Sequence, residues 1–309
     1  QWTDHAQQKW LNHFHQHGLV ACFDRHGNIL LGAPDEESWY QKVSVGYSYL
    51  LQAHLDHPGS IILSECDNKD GWYRYTAFVR GGLHKSLLGF ECRILSQRGL
   101  ELGAAVIDQD ITVGQERFVG FKIKKKIPMP AIICGTATNS GLTEKGFIVG
   151  WGLDNHAGCA LVLTTLETNK TKKLLGLLTV DEETGCGGLR RVLRRLKSMP
   201  EWQSSHPAAL VSVETTREYP DVGFMCGQGA RWRTEDAHAK MDETMMDRLK
   251  DVSAFPAVSL KQGGCEAGLW TTEGGRAVCL TLPCLYYHNG ARVNEWRAEE
   301  VARTDVEHA

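Results

Sequence analysis

Lys173-Leu174-Leu175-Gly176-Leu177-Leu178-Thr179-Val180-Asp181-Glu182-Glu183 is apolar almost throughout and then turns abruptly acidic. Beyond a glycine-rich turn, Gly188 to Lys197 sets Leu189, Val192, Leu193 and Leu196 on one helical face, with Arg190, Arg191, Arg194 and Arg195 on the other. A strand followed by an amphipathic helix is the repeating unit of an α/β sheet. In open sheets of that kind ligands sit outside the carboxyl ends of the strands, so acids there face a crevice. Three further apolar runs end in the same manner: Ala53-His54-Leu55-Asp56, Ser212-Val213-Glu214 and Leu285-Tyr286-Tyr287-His288. Asp154, in Gly152-Leu153-Asp154-Asn155-His156-Ala157-Gly158, precedes a helical stretch to Glu167 and stands at its expected N-cap position. Two imidazoles and several carboxylates are the makings of a metal site.

The rest of the chain is read around these stretches. Asp4 to His17 places Ala6, Trp10, Leu11 and Phe14 at helical spacing, and Val20 to Leu31 reads as two short strands across a turn. Lys42 to Leu51 is expected to feed a strand into His54. From about Ser60 to Thr136 the texture changes to short strand-like runs (Ile61 to Leu63, Trp72 to Val79, Phe90 to Leu95, Leu102 to Ile107, Phe118 to Ile123) with scarcely a helical period, which suggests a small β-barrel. The basic run Lys122 to Lys126 lacks interleaved aromatics and reads as a solvated face. After Val149 the α/β rhythm returns, with strands expected over Lys173 to Val180, Ala208 to Val213 and Ala277 to Tyr287. A helix carrying Met241, Met245 and Leu249 is expected over Glu235 to Lys250.

At 309 residues the chain can bury a substantial core. A net charge of -3 gives no global case for nucleic acid or membrane binding, and no 18-residue apolar run occurs. The ten cysteines form no CxxC pair, so reduced thiols in a cytoplasmic protein are expected over a disulfide framework.

Each candidate has a bland alternative: a lone strand-end His is more often a structural hydrogen-bonding group, and an acidic pair is usually a solvated turn. Five such features at sheet edges ask for one explanation. Hydrolysing an amide needs a polarised carbonyl, a hydroxide at neutral pH and a proton carrier, and two metal ions supply the first two. His54 and Glu214 could serve one ion, Glu183 and His288 the other, and Asp154 could bridge them. Glu182, left unligated, could move the proton. Asp56 could orient an imidazole or the bridging carboxylate from behind.

At this point the chain resembles the cytosolic di-metal aminopeptidases that include glutamyl and deblocking aminopeptidases and the tetrahedral (TET) peptidases. The resemblance is carried in order by Asp24-Arg25-His26-Gly27-Asn28, Ala53-His54-Leu55-Asp56-His57-Pro58-Gly59, Gly152-Leu153-Asp154-Asn155, Glu182-Glu183-Thr184-Gly185 with Gly188, Gly263-Gly264-Cys265-Glu266-Ala267-Gly268, and His288. It implies an α/β, mixed-sheet, zinc-peptidase-like catalytic domain (residues 1–59 and 137–309) with helices on both faces, interrupted by an inserted β-barrel domain (60–136). It also implies His54, Asp154, Glu183, Glu214 and His288 as metal ligands, Glu182 as general base, and two divalent ions per subunit, zinc or cobalt. The expected reaction is removal of N-terminal residues from peptides by a two-metal-bridged hydroxide, in a homo-oligomer of two or more copies. Glu214 stands where the family carries Asp, Asn155-His156 where it tends to Asp-Arg, and Asn289-Gly290 where it has Ser-Pro.

An aminopeptidase must hold a cationic α-amine, and Glu266 is the candidate acid for it. A carboxypeptidase or N-acyl amino acid hydrolase would need a cation for the substrate carboxylate, for which Arg292 is the candidate. A non-catalytic binding protein retaining the fold is the third reading, and a full ligand set with a spare acid speaks against it.

Overall fold

The computed structural model describes residues 4–45, 49–57, 59–69, 71–80, 87–96, 100–114, 116–135, 140–169, 173–204, 208–289 and 297–309. Helix α1 (Asp4–Gln16) packs on strand β1 (Ala21–Phe23), which pairs antiparallel with β2 (Ile29–Leu31), and buries Phe14 in a cluster with Ile29 and Leu31. Lys42 does not lead into a strand as the sequence suggested. Asp35 caps a helix, α2 (Glu36–Ser44), by accepting from the Ser38 N–H, and Glu36 and Glu37 in its first turn suit the helix dipole. Strand β3 (Tyr49–His54) begins only afterwards and ends on His54.

Strands β4 (Gly59–Lys69), β5 (Trp72–Arg80), β6 (Glu91–Ser96), β7 (Glu101–Val113), β8 (Glu116–Ile123) and β9 (Ala131–Gly135) form a closed antiparallel barrel in the order β4-β5-β8-β7-β6-β9. Alternation fills it: Cys92 and Ile94 from β6, and Val119, Phe121 and Ile123 from β8, point inward around Tyr75. The strand missing from the sequence reading is β9, which pairs with both β4 and β6 and so closes the ring. Pro128 and Pro130 just before it masked its start. The basic run is solvated, with Lys122 paired to Asp108 and Lys126 to Glu65.

The remainder builds an eight-stranded mixed sheet and a small three-stranded one. Along the chain come β10 (Gly141–Leu142), β11 (Phe147–Gly150), α3 (Leu153–Thr168), β12 (Leu174–Thr179), α4 (Gly187–Lys197), α5 (Pro200–Ser204) and β13 (Ala209–Arg217). They are followed by β14 (Arg231–Glu235), α6 (Glu243–Val252), β15 (Ala257–Ser259), α7 (Glu266–Thr272), β16 (Ala277–Cys284), β17 (Glu299–Ala302) and α8 (Arg303–Glu307). The large sheet runs β1-β2-β12-β3-β13-β16-β14-β15, and its four central strands, β12, β3, β13 and β16, are mutually parallel. One face packs Leu50, Leu177 and Leu210 under α2, α4, α6 and α7; the other packs Leu51, Ala53, Leu178 and Val213 under α1 and α3. Leu189, Val192, Leu193 and Leu196 of α4 are all buried, as their spacing required.

Several boundaries differ from the sequence reading, among them the last strand, which stops at Cys284 instead of reaching Tyr287, so that His288 follows it on a turn. Arg231 to Glu235 is strand, and the helix after it starts only at Glu243, where the Asp242 carboxylate accepts from the Met245 N–H. Met241 is therefore buried ahead of the helix, not on it. Strand β13 continues past Val213 to Arg217, so Glu214 lies within it. Among the described residues no helix is long and apolar enough to cross a membrane, and eight cysteines are free thiols.

Candidate metal centre

Because the four central strands are parallel, their carboxyl ends lie along one edge. Ser212 pairs with Gln52, so Glu214 stands level with His54 at the point where β3 stops. Glu182 and Glu183 occupy the turn between β12 and α4, and His288 a 3-10 turn after β16. Asp154 arrives from the small sheet, just beyond β11. All five non-glycine residues with positive φ among those described, Asp181, Cys186, Tyr286, His288 and Asn289, lie in the two turns that carry Glu182-Glu183 and His288. Strained backbone of this kind persists only where its surroundings over-determine it.

The five ligand candidates converge. His54 Nε2 lies 3.1 Å from Glu214 Oε1 and 3.5 Å from Asp154 Oδ1. His288 Nε2 lies 3.1 Å from Asp154 Oδ2 and 3.2 Å from Glu183 Oε1. Asp154 thus turns one oxygen to each histidine-carboxylate pair. Several of these contacts are at ion-pair distance without hydrogen-bond geometry: both Asp154 oxygens, Glu183 Oε1, Glu214 Oε2 and His288 Nε2 are buried and have no hydrogen-bond partner. Buried acceptors are normally satisfied, and a cluster of orphans invites a cation. One ligand atom each from His54, Asp154 and Glu183 lies within 4.8 Å of the others. These donors fit divalent metal ions, being imidazole and carboxylate without thiolate.

The electrostatics show how the folded chain balances these acids. Burial alone would lower the pKa of His54, but Glu214 and Glu182 beside it hold the imidazole protonated well above its usual range. Burial likewise opposes protonation of His288, and the contacts with Asp154 and Glu183 overcome it, raising the pKa to about 11. Asp154 would be raised by burial, yet the two histidines carry it below the usual carboxylate range. Burial pushes Glu182 well up. Protons on the imidazoles occupy the role a metal ion would take.

The surrounding residues fix this set. His54 Nδ1 donates to the Asp56 backbone carbonyl at 3.0 Å, which turns Nε2 toward the acids. Of the two partners expected for Asp56, the imidazole is the one it approaches: its carboxylate lies 3.8 Å from His54 Nδ1 and accepts from the backbone N–H groups of Glu182 (2.9 Å) and Glu183 (3.1 Å). Asp154 is not the N-cap of α3. Asp154 and Asn155 break the helical backbone near its start, and Asn155 caps the regular turns that follow, its Oδ1 accepting from the Gly158 N–H while its Nδ2 donates to the Val213 carbonyl, which leaves the Asp154 carboxylate to face the histidines. Asn28 holds the acidic turn from below, its Oδ1 accepting from the Val180 N–H and its own N–H bound to Asp24.

Glu266 is not at a mouth where it could meet a substrate amine. It is fully buried at the start of α7, where its carboxylate accepts from Thr179 Oγ1 at 2.5 Å and from Gln52, one layer beneath His54. Burial pushes its pKa up to about 8. Arg292 lies outside the described residues. The sequence reading missed Glu299, and it gave His57 no role although His57 lay in a stretch it had singled out. His57 Nδ1 meets the Asp154 carbonyl at 2.9 Å, and Glu299 accepts from the backbone N–H groups of both Asp154 and His288.

Comparison with known proteins gives this geometry its place. The profile of the M42 glutamyl aminopeptidase family matches residues 130–303, more than half of the chain. The chain belongs to the M42 glutamyl aminopeptidase family. The matched span contains Asp154, Glu182, Glu183, Glu214 and His288, and M42 membership makes the chain a metal-dependent aminopeptidase, a peptide hydrolase, as the resemblance implied. FrvX of Escherichia coli (strain K12), named as an aminopeptidase, is 22% identical over 281 residues, covering 80% of this chain and 76% of FrvX. A protein of Acetivibrio thermocellus, also named as an aminopeptidase, is 24% identical over 276 residues, 80% of this chain and 78% of its own. Among solved structures, the TET1 peptidase of Pyrococcus horikoshii superposes with a TM-score of 0.71 at 16% identity, over 98% of this chain and 90% of that one. An aminopeptidase of Desulfurococcus kamchatkensis gives 0.72 at 16% identity, over 99% and 86%. These likenesses show that the M42 chain shares the fold of both.

Proposed function

We propose that this M42 chain removes N-terminal residues from peptides with two divalent metal ions, zinc or cobalt, held by His54 and Glu214 on one side and Glu183 and His288 on the other, with Asp154 between them. The observation that carries the reading is the division of Asp154, one oxygen toward each histidine-carboxylate pair. Bound ions of this kind polarise the scissile carbonyl and bring the pKa of a water near neutrality. The chain supplies the rest. His54 keeps its Nδ1 proton on the Asp56 carbonyl, which leaves Nε2, the nitrogen toward Glu214, as the one that would offer its lone pair to an ion once its own proton is displaced. Glu182 belongs to neither pair, with an oxygen 3.9 Å from His54 Nε2, and a carboxylate so placed can take a proton from water and deliver it to the leaving nitrogen.

Residues 60–136 are then an inserted barrel domain within a catalytic domain formed by residues 1–59 and 137–309. Assembly as a homo-oligomer of two or more copies, in the cytoplasm, completes the reading; the P. horikoshii TET1 peptidase is described as assembling into a tetrahedron or a large octahedral shell. Free, N-acetylated and C-amidated dipeptides compared as substrates test the direction of attack. Cleavage of the free and amidated forms, and not the acetylated form, is expected; cleavage of the N-blocked peptide alone would make the enzyme a different hydrolase.

A further inference from the structure

Asp154 and His288 reach the site from different parts of the fold, one after β11 and the other after β16. Strand β17 joins these two segments. On one edge it pairs with β11, Gly150 opposite Glu299, and on the other Glu300 exchanges backbone hydrogen bonds with Leu285. Its first residue, Glu299, is fully buried. Glu299 Oε2 accepts from the Asp154 N–H at 3.0 Å and Oε1 from the His288 N–H at 2.8 Å. A single carboxylate therefore holds the main chain of two ligand candidates.

The contacts continue into a ring. The Asp154 carbonyl meets His57 Nδ1 at 2.9 Å, and His57 Nε2 meets Asn289 Oδ1 at 2.6 Å. Asn289 follows His288 directly and donates from Nδ2 to the Arg297 carbonyl at 3.0 Å, two residues short of Glu299. Both backbone polar groups of Asp154 are thus pinned, and the loop bearing His288 is tied to them from both sides. None of these bonds uses a side-chain atom that faces the candidate ions.

We propose that Glu299 is the positioning residue of the metal centre, setting the bridging aspartate and His288 relative to one another by binding both of their backbone N–H groups. This rests on the two-ion reading. Its physical basis is that a shared carboxylate must be placed to within a fraction of an ångström to serve two ions, and bonds behind the ligands commonly govern metal affinity by ~10- to 100-fold.

The test is zinc titration of the chelator-treated full chain, with peptide turnover measured on the reloaded enzyme. Glu299→Gln leaves an amide N–H₂ against one of the two N–H groups, and Glu299→Asp keeps the charge but withdraws the reach; if the first fails to fold, the second carries the test. Weaker zinc binding by ~10- to 100-fold with a fall in kcat and little change in KM is expected of either folded variant. Val301→Ala trims a buried side chain on the same strand without touching the ring. It should lower the melting temperature and leave zinc affinity unchanged, which separates positioning from general support. Folded Glu299 variants that bind two zinc equivalents with parental affinity and turnover would overturn the inference while leaving the two-ion reading intact. A parent chain that binds no zinc would overturn that reading, and the inference with it.

Discussion

Glu182 is the residue at which chemistry and structure can be separated most cleanly. It sits beside Glu183 but outside both histidine-carboxylate pairs, with an oxygen 3.9 Å from His54 Nε2. Glu182→Gln preserves shape and removes the proton acceptor, so turnover should fall by ~10²- to 10⁴-fold with metal stoichiometry unchanged. Retained turnover in a chain that still binds metal would remove the base assignment. At this scale the sequence exposed the side chains that converge, because an acid or histidine at the end of an apolar strand is conspicuous. It did not expose Glu299 or the role of His57, whose partners are backbone groups distant along the chain. Asp56 and Glu266 were visible as acids, but only the fold shows that one binds the peptides of Glu182 and Glu183 and the other lies beneath the sheet.

At the scale of elements, periodicity served well where one face is apolar. The α4 helix and the parallel strands through His54, Thr179 and Val213 followed from their patterns. It failed where backbone hydrogen bonding decides. Five residues, Arg231 to Glu235, form β14 because β16 and β15 supply partners on either side, a tertiary pairing that the local pattern does not announce. The entry to α3 shows the same limit. A β-carbon on Gly158 would lie 2.2 Å from Asn155 Oδ1 and 2.9 Å from the Val213 carbonyl, so the glycine lets the helix approach β13 and lets Asn155 take the cap. Asp at 154 and Asn at 155 are both good capping residues, and the sequence alone cannot say which turns toward the histidines.

For the whole molecule, the buried groups of the centre couple stability to pH. In the metal-free fold His288 titrates at about 11 against a usual 6.5, Glu266 at about 8 and Glu299 at about 7 against 4.5. Each binds protons in the folded state that the unfolded chain has already released. Their contribution is complete below the usual values and is lost as pH rises through the folded ones. Asp154 acts in the opposite sense, but only in acid, where its stabilisation is lost as pH falls. The melting temperature of chelator-treated protein should therefore fall from pH 6.5 to pH 9, and bound zinc, by displacing the His288 proton, should flatten the slope. A rise over that interval would show that the groups are not protonated in the fold. The central claim, that Asp154 joins two half-sites, is tested most directly by the zinc equivalents bound by the chelator-treated chain and by its Asp154→Asn variant. Two equivalents in the parent and loss of both in the folded variant are predicted; loss of only one, or a parent that binds a single ion, would contradict a bridge at Asp154.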